Sequence, residues 1–95
     1  MNIKKSDIVL SLSGRDRGGQ FLVVDTEDIY AMLADGKGRR LEKPKRKKVT
    51  HIQFLAESDS RAAEKLRIGD KVSNSEIRRA LAEFSAGMDG DKGGM

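Results

Sequence analysis

The chain of 95 residues has no cysteine, one histidine, one proline and four aromatic side chains. Without cysteine there is no disulfide framework, no thiol nucleophile and no Cys-based zinc or iron–sulfur site. The lone histidine, His51, excludes a multi-histidine metal centre. No apolar run approaches the roughly 18 residues of a membrane span. Met1 to Asp7 is polar and lacks the apolar stretch of a signal peptide, so the expectation is a soluble, cytoplasmic protein. One histidine and no thiol cannot assemble a nucleophile, a base and an orienting group. The reading is therefore non-enzymatic, with no cofactor and no metal.

Charge is what the chain has in abundance. Charged residues make up 36% of it, against about 25% in typical domains. The formal net charge of +4 hides an asymmetry. Residues 1–50 carry twelve basic and seven acidic side chains, whereas residues 51–95 carry seven and eight. Positions 37–48 (KGRRLEKPKRKK) hold eight basic residues against one acid, Glu42. Such density repels itself, and a polyanion is its natural partner because phosphate neutralisation releases counterions. The run lies between strand-like stretches, so a fold would hold it in place.

Hydrophobic patterning supplies the frame. Asp7–Ser13 (DIVLSLS) alternates with Ile8, Leu10 and Leu12 on one face, as in a half-buried strand. Gly14–Gly19 is polar and glycine-rich, a loop. Gln20–Thr26 (QFLVVDT) is a second strand and Ile29–Ala34 (IYAMLA) a third, followed by the hairpin signal Asp35-Gly36. Arg39–Glu42 is expected to pair back through Leu41, Pro44 to mark loop or sheet edge, and Val49–Leu55 to form a last strand. Five short strands in some fifty residues predict a mainly β fold, a small barrel or sandwich.

The composition then changes. Residues 60–68 suit a helix with Gly69 at its left-handed cap. Ser73-Asn74-Ser75-Glu76 is a capping box, and Ile77, Ala80, Leu81 and Phe84 form the stripe of an amphipathic helix that Gly87 is expected to end. The expected organisation is a β domain over 1–57, a helical segment over 58–86 and a glycine-rich, disordered tail over 87–95.

Residues 7–24, DIVLSLSGRDRGGQFLVV, carry a strand, a G-x-x-[KR]-G loop (Gly14, Arg15, Asp16, Arg17, Gly18) and a second strand. This resembles a KOW motif. With the Asp35-Gly36 turn, the basic run and His51-Ile52, the likeness extends over roughly residues 5–55. It is similar to the fourteen-e family of large-subunit ribosomal proteins, and to the short bacterial KOW-domain proteins grouped with it. Thr50 stands where that family has a lysine before the histidine. The resemblance implies a small SH3-like barrel followed by a short helical segment. It also implies an RNA partner, ribosomal RNA above all, with ribosomal or transcription proteins as further partners and no membrane.

The residues weighed for RNA contact are Arg15 and Arg17, which flank a glycine loop that lets backbone N–H groups approach phosphate. To these are added Arg39, Arg40, Lys43, Lys45, Arg46, Lys47 and Lys48 of the basic run, and His51. Asp16 is expected to order its loop rather than touch RNA. Phe21, Phe54 and Phe84 lie on core patterns, which leaves Tyr30 as the stacking candidate. Asp25, Glu27, Asp28 and Asp35 lack calcium-loop spacing and read as turn chemistry and partners for the basic run. A second hypothesis is a protein–protein adaptor that presents the helix stripe Ile77, Leu81 and Phe84.

Overall fold

Apolar and β-branched side chains at alternating positions build three of the five strands, β1 (Asp7–Ser11), β2 (Gln20–Glu27) and β3 (Tyr30–Ala34). The other two are β4 (Lys45–Lys48) and β5 (Ile52–Glu57), separated by a one-turn 3-10 helix at Val49–His51. Helices α1 (Arg61–Ile68) and α2 (Asn74–Gly93) follow. The structure is a computed structural model that describes residues 2–93, with side chains over residues 2–87. The strands form one antiparallel sheet in the order β4-β3-β2-β1-β5. The edges β4 and β5 do not pair with each other among the described residues, so no ladder closes the sheet.

Both faces of the sheet are apolar. Ile8, Leu22 and Ala34 face Ala62, Leu66, Ile77 and Ala80 of the two helices. Val9, Phe21, Val23, Ala31, Leu33 and Ile52 form a second cluster with no helix in it, packed only by Ile3 and Val49. Residues of four strands are thus buried on a face that no helix covers, which requires the sheet to curve around them. Register shifts between Ile8 and Val9 and between Val23 and Asp25 supply bends of that kind. β1 is therefore not the half-buried strand its alternation predicts. Ile8 and Val9 are both buried, while Leu12, placed with Ile8 by period two, lies beyond the strand and is exposed.

The helix termini follow their local signals. Ser60 caps α1 by accepting from Ala63 N at 3.1 Å, and Gly69 ends it at φ +77°. Ser73 and Glu76 form the reciprocal bonds of the capping box, 3.0 Å and 3.2 Å. Lys65 pairs with Glu76 at 2.7 Å, tying the two helices together. That ammonium, with the Ser73 N–H, holds the Glu76 carboxyl below its usual value. The stripe Ile77, Ala80, Leu81 and Phe84 packs against the sheet, so it belongs to the core. No helix among the described residues is long and apolar enough to cross a membrane.

The structure corrects several expectations. Arg39–Glu42 is not a strand, because the Leu41 N–H is taken by Asn74 Oδ1 at 2.8 Å and not by a ladder. The returning strand is β4, the Lys-rich edge just after Pro44. Val49–His51 makes a 3-10 turn before β5 rather than the start of the strand. α2 runs on to Gly93 instead of ending at Gly87; positions 94–95 of the expected tail lie outside the described residues. Gly87 is not in the left-handed conformation of a helix cap.

The first turn of α2 comes close against the loop that follows β3. Gly36 sits at φ +78°, and a Cβ there would overlap the Asn74 carbonyl oxygen and lie 2.8 Å from Arg78 Cγ. Arg78 Nη1 donates to the Gly36 carbonyl at 2.6 Å. Gly36→Ala is expected to cost at least about 2 kcal/mol, from the left-handed backbone and the displaced helix start together. Urea denaturation followed by circular dichroism measures it; a midpoint equal to wild type would contradict this packing.

Candidate nucleic-acid interface

The turn between β1 and β2 is closed by its own backbone. Gly14 and Gly18 take φ of +74° and +86°, which an L side chain rarely adopts. Gly18 N donates to Ser11 O at 2.8 Å, Ser11 N to Gly19 O at 2.9 Å and Arg17 N to Gly14 O at 3.2 Å. Arg15 and Arg17 stand exposed on this turn. Among the described residues neither forms an ion pair.

Asp16, between them, is held from outside the turn. Arg39 donates to it twice, Nε to Oδ1 at 3.2 Å and Nη2 to Oδ2 at 2.9 Å. This forked pair joins the 14–18 turn to the loop between β3 and β4. That loop is shaped in turn by Asp35, whose Oδ1 accepts from Lys37 N and Arg39 N at 2.9 Å each. The Arg39 bond holds the Asp16 carboxyl below its ordinary value against burial, which raises it; the charge of Arg39 and the ammoniums of Lys47 and Lys45 reinforce the lowering.

Lys47 has a different role from the one its place in the basic run predicts. It is 7% exposed, and its Nζ donates to Ser11 Oγ at 2.9 Å and to Ser13 O at 2.7 Å. The side chain crosses from β4 to the base of the 14–18 turn, 3.5 Å from where a Gly14 Cβ would lie. A buried ammonium with these partners is part of the core, not of a contact surface.

The remaining candidates divide between places. Arg15, Arg17, Arg39, Lys45 and Lys47 gather about Asp16, Lys45 being half-buried. Arg40 pairs with Glu42 at 3.1 Å, and Glu42 also accepts from Asn74 at 2.6 Å. Those two bonds, Asn74 first, keep the Glu42 carboxyl below its usual value. Lys43 and Lys48 are exposed and form no ion pair among the described residues. On β4, Arg46 and Lys48 alternate with Lys45 and Lys47 and so occupy the opposite face. Arg46 lies over the Tyr30 ring, 3.7 Å from its centroid, and pairs with Glu27 at 3.5 Å. His51 is exposed on the 3-10 turn, where its carbonyl accepts from Leu12 N at 2.9 Å. The basic run is therefore not one uniform face. Part of it braces the fold, and part is free.

Two participants escape the sequence reading. Ser11 and Ser13, placed on the polar side of β1, are the acceptors for Lys47. Asn74 bridges the helix start to Leu41 and Glu42. Neither has a sequence signal: Ser13 accepts through its backbone carbonyl, which any residue offers, and the partners of Ser11 and Asn74 lie more than thirty residues away. The acidic group behaves as turn chemistry: Asp25 Oδ1 accepts from Thr26 N at 2.8 Å, Asp35 shapes its loop and Glu27 takes Arg46.

No protein-family model and no curated protein matches the chain. What the structure defines is a mainly β domain, a five-stranded antiparallel sheet carrying two helices, with a cluster of cations at one turn.

Two outcomes follow for these residues. Lys47→Ala removes the ammonium that donates to Ser11 Oγ and Ser13 O, leaving Ser13 O only the Ser11 hydroxyl, and is expected to lower folding stability by about 1–3 kcal/mol; denaturant titration checks this. Asp16 has a lowered folded pKa, so its contribution is present above the unfolded carboxylate pKa and fades as pH falls through the folded value. In Asp16→Asn, the loss of thermal stability between about pH 6 and about pH 3 is accordingly smaller than in wild type. Equal losses in the two proteins would contradict the Asp16–Arg39 bond.

Proposed function

We propose that this chain is a non-catalytic RNA-binding module of the KOW type, an SH3-like barrel with a helical appendix. Its expected partner is structured RNA, ribosomal or ribosome-associated, in the cytoplasm. The observation that carries the reading is the 14–18 turn. Its backbone is closed, its one carboxylate is anchored by Arg39, and Arg15 and Arg17 are exposed and form no ion pair among the described residues.

Other features support it. The five short antiparallel strands in the order β5-β1-β2-β3-β4, with β1 pairing both β2 and β5, support a small barrel-like reading. A helix-free buried cluster on one side of the sheet is what a barrel interior would be. Lys45 and, in the loop before β4, Lys43 add positive charge to that of the turn, while Lys48 is an exposed cation on the other face of β4. Binding is then electrostatic and largely independent of sequence, with shape deciding which RNA is held. The adaptor alternative loses the surface it needs, since Ile77, Leu81 and Phe84 pack on the sheet.

The test is affinity for a structured RNA measured across a salt series. The double variant Arg15→Ala/Arg17→Ala is expected to bind more weakly. For every phosphate that is no longer neutralised, the slope of log affinity against log salt becomes shallower by about 0.7 to 0.9. Arg40→Ala, whose cation is paired with Glu42, is expected to change both far less. Unchanged affinity and slope in the double variant would overturn the reading.

A further inference from the structure

The outward face of β4 carries a group that the electrostatic reading leaves unused. Arg46 has two partners. Its guanidinium carbon lies over the Tyr30 ring, 3.7 Å from the centroid, and its Nε pairs with Glu27 at 3.5 Å. The β2–β3 hairpin brings these together, because Glu27 pairs with Tyr30 and Tyr30 lies between Glu27 and Lys48 in the sheet. Glu27 already balances much of the Arg46 charge, and with Asp25 and Asp28 on the same hairpin a phosphate gains little there. What remains is a plane. One face of the guanidinium rests on the ring, while the Arg46 side chain is 54% exposed. Ile29, 49% exposed, adds apolar surface at the hairpin tip, and Lys48, opposite Tyr30 and two residues from Arg46 on the same face, forms no ion pair among the described residues.

A planar cation fixed on an aromatic ring, beside apolar surface and one free ammonium, is a platform for a flat π-system joined to a phosphate. We infer that the Arg46–Tyr30 stack receives an unpaired nucleobase on the outer face of the guanidinium, with Lys48 beside the adjoining phosphate. This rests on the RNA-binding reading and adds a base-recognising site to it, on the face of β4 opposite Lys45 and Lys47. It gives the protein a preference for RNA in which a base is free of its helix, a preference the 14–18 turn alone does not confer.

The test uses two RNA hairpins, one with a single bulged 2-aminopurine and one fully paired. Wild type is expected to bind the bulged RNA about tenfold more tightly and to change the fluorescence of the bulged base. Arg46→Lys keeps the charge and removes the plane; Tyr30→Ala removes the support. Both are expected to abolish the preference and the fluorescence change, with affinity for the paired RNA kept. Tyr30→Phe, which preserves the ring and tests that the hairpin folds, is expected to behave as wild type. Equal binding of both RNAs by wild type, or a preference that survives Arg46→Lys and Tyr30→Ala, overturns the stacking site and leaves the RNA-binding reading standing. Failure of wild type to bind either RNA overturns that reading and the site with it.

Discussion

The meeting of Gly36 with the first turn of α2 is the contact on which the arrangement of both ends of the molecule depends. A hydrogen in place of a side chain lets the Asn74 backbone come against the β3–β4 loop. Asn74 then fixes Leu41 and Glu42, and Arg78 fixes the Gly36 carbonyl. The same loop, shaped by Asp35, carries Arg39 to Asp16. A helix start on one side of the sheet is thus connected, through that one loop, to the glycine turn on the other. Packing and the cation cluster share a single support.

That support explains why so few of the basic side chains behave alike. A cation is available to a polyanion only when the fold does not already hold it. Lys47 is drawn into the interior by two serine oxygens, while nearer the surface Arg39 is engaged by a carboxylate, Arg40 by Glu42, and Arg46 by a ring and a glutamate. Exposed pairs such as Arg40–Glu42 contribute little to stability in solvent, yet they decide which charges are left over. Those left over flank the 14–18 turn and continue along β4 and the loop before it.

How far the sequence carries depends on how local each cause is. The helix caps at Ser60, Gly69 and Ser73–Glu76 are legible because donor and acceptor lie within four residues. So are β2 and β3, whose propensity agrees with the fold; the Asp35-Gly36 hairpin signal is not, because β3 pairs with Lys45–Lys48 across a longer loop. β4 is not, because KRKK has no apolar alternation; it is a strand through its pairing with β3, not through its own pattern. The charge run is visible as a total, but the direction of each side chain is set by strand register and by partners 16 to 36 residues away. Asp16 as the residue that orders its turn is legible, whereas its partner Arg39 is a matter of tertiary structure.

β4 is also an open margin of the sheet, with backbone groups on its outer side that no other strand among the described residues satisfies. Bare margins of this kind invite another polypeptide to add itself as a strand, and lysines with a nearby proline are a common defence. Here Pro44 stands before four consecutive cations. Two chains approaching edge to edge would bring eight like charges together. The run that reads as a grip for polyanions is by the same token a guard against self-association. Neutralising it would loosen that guard, so the tendency of such variants to assemble belongs beside any measure of what they bind.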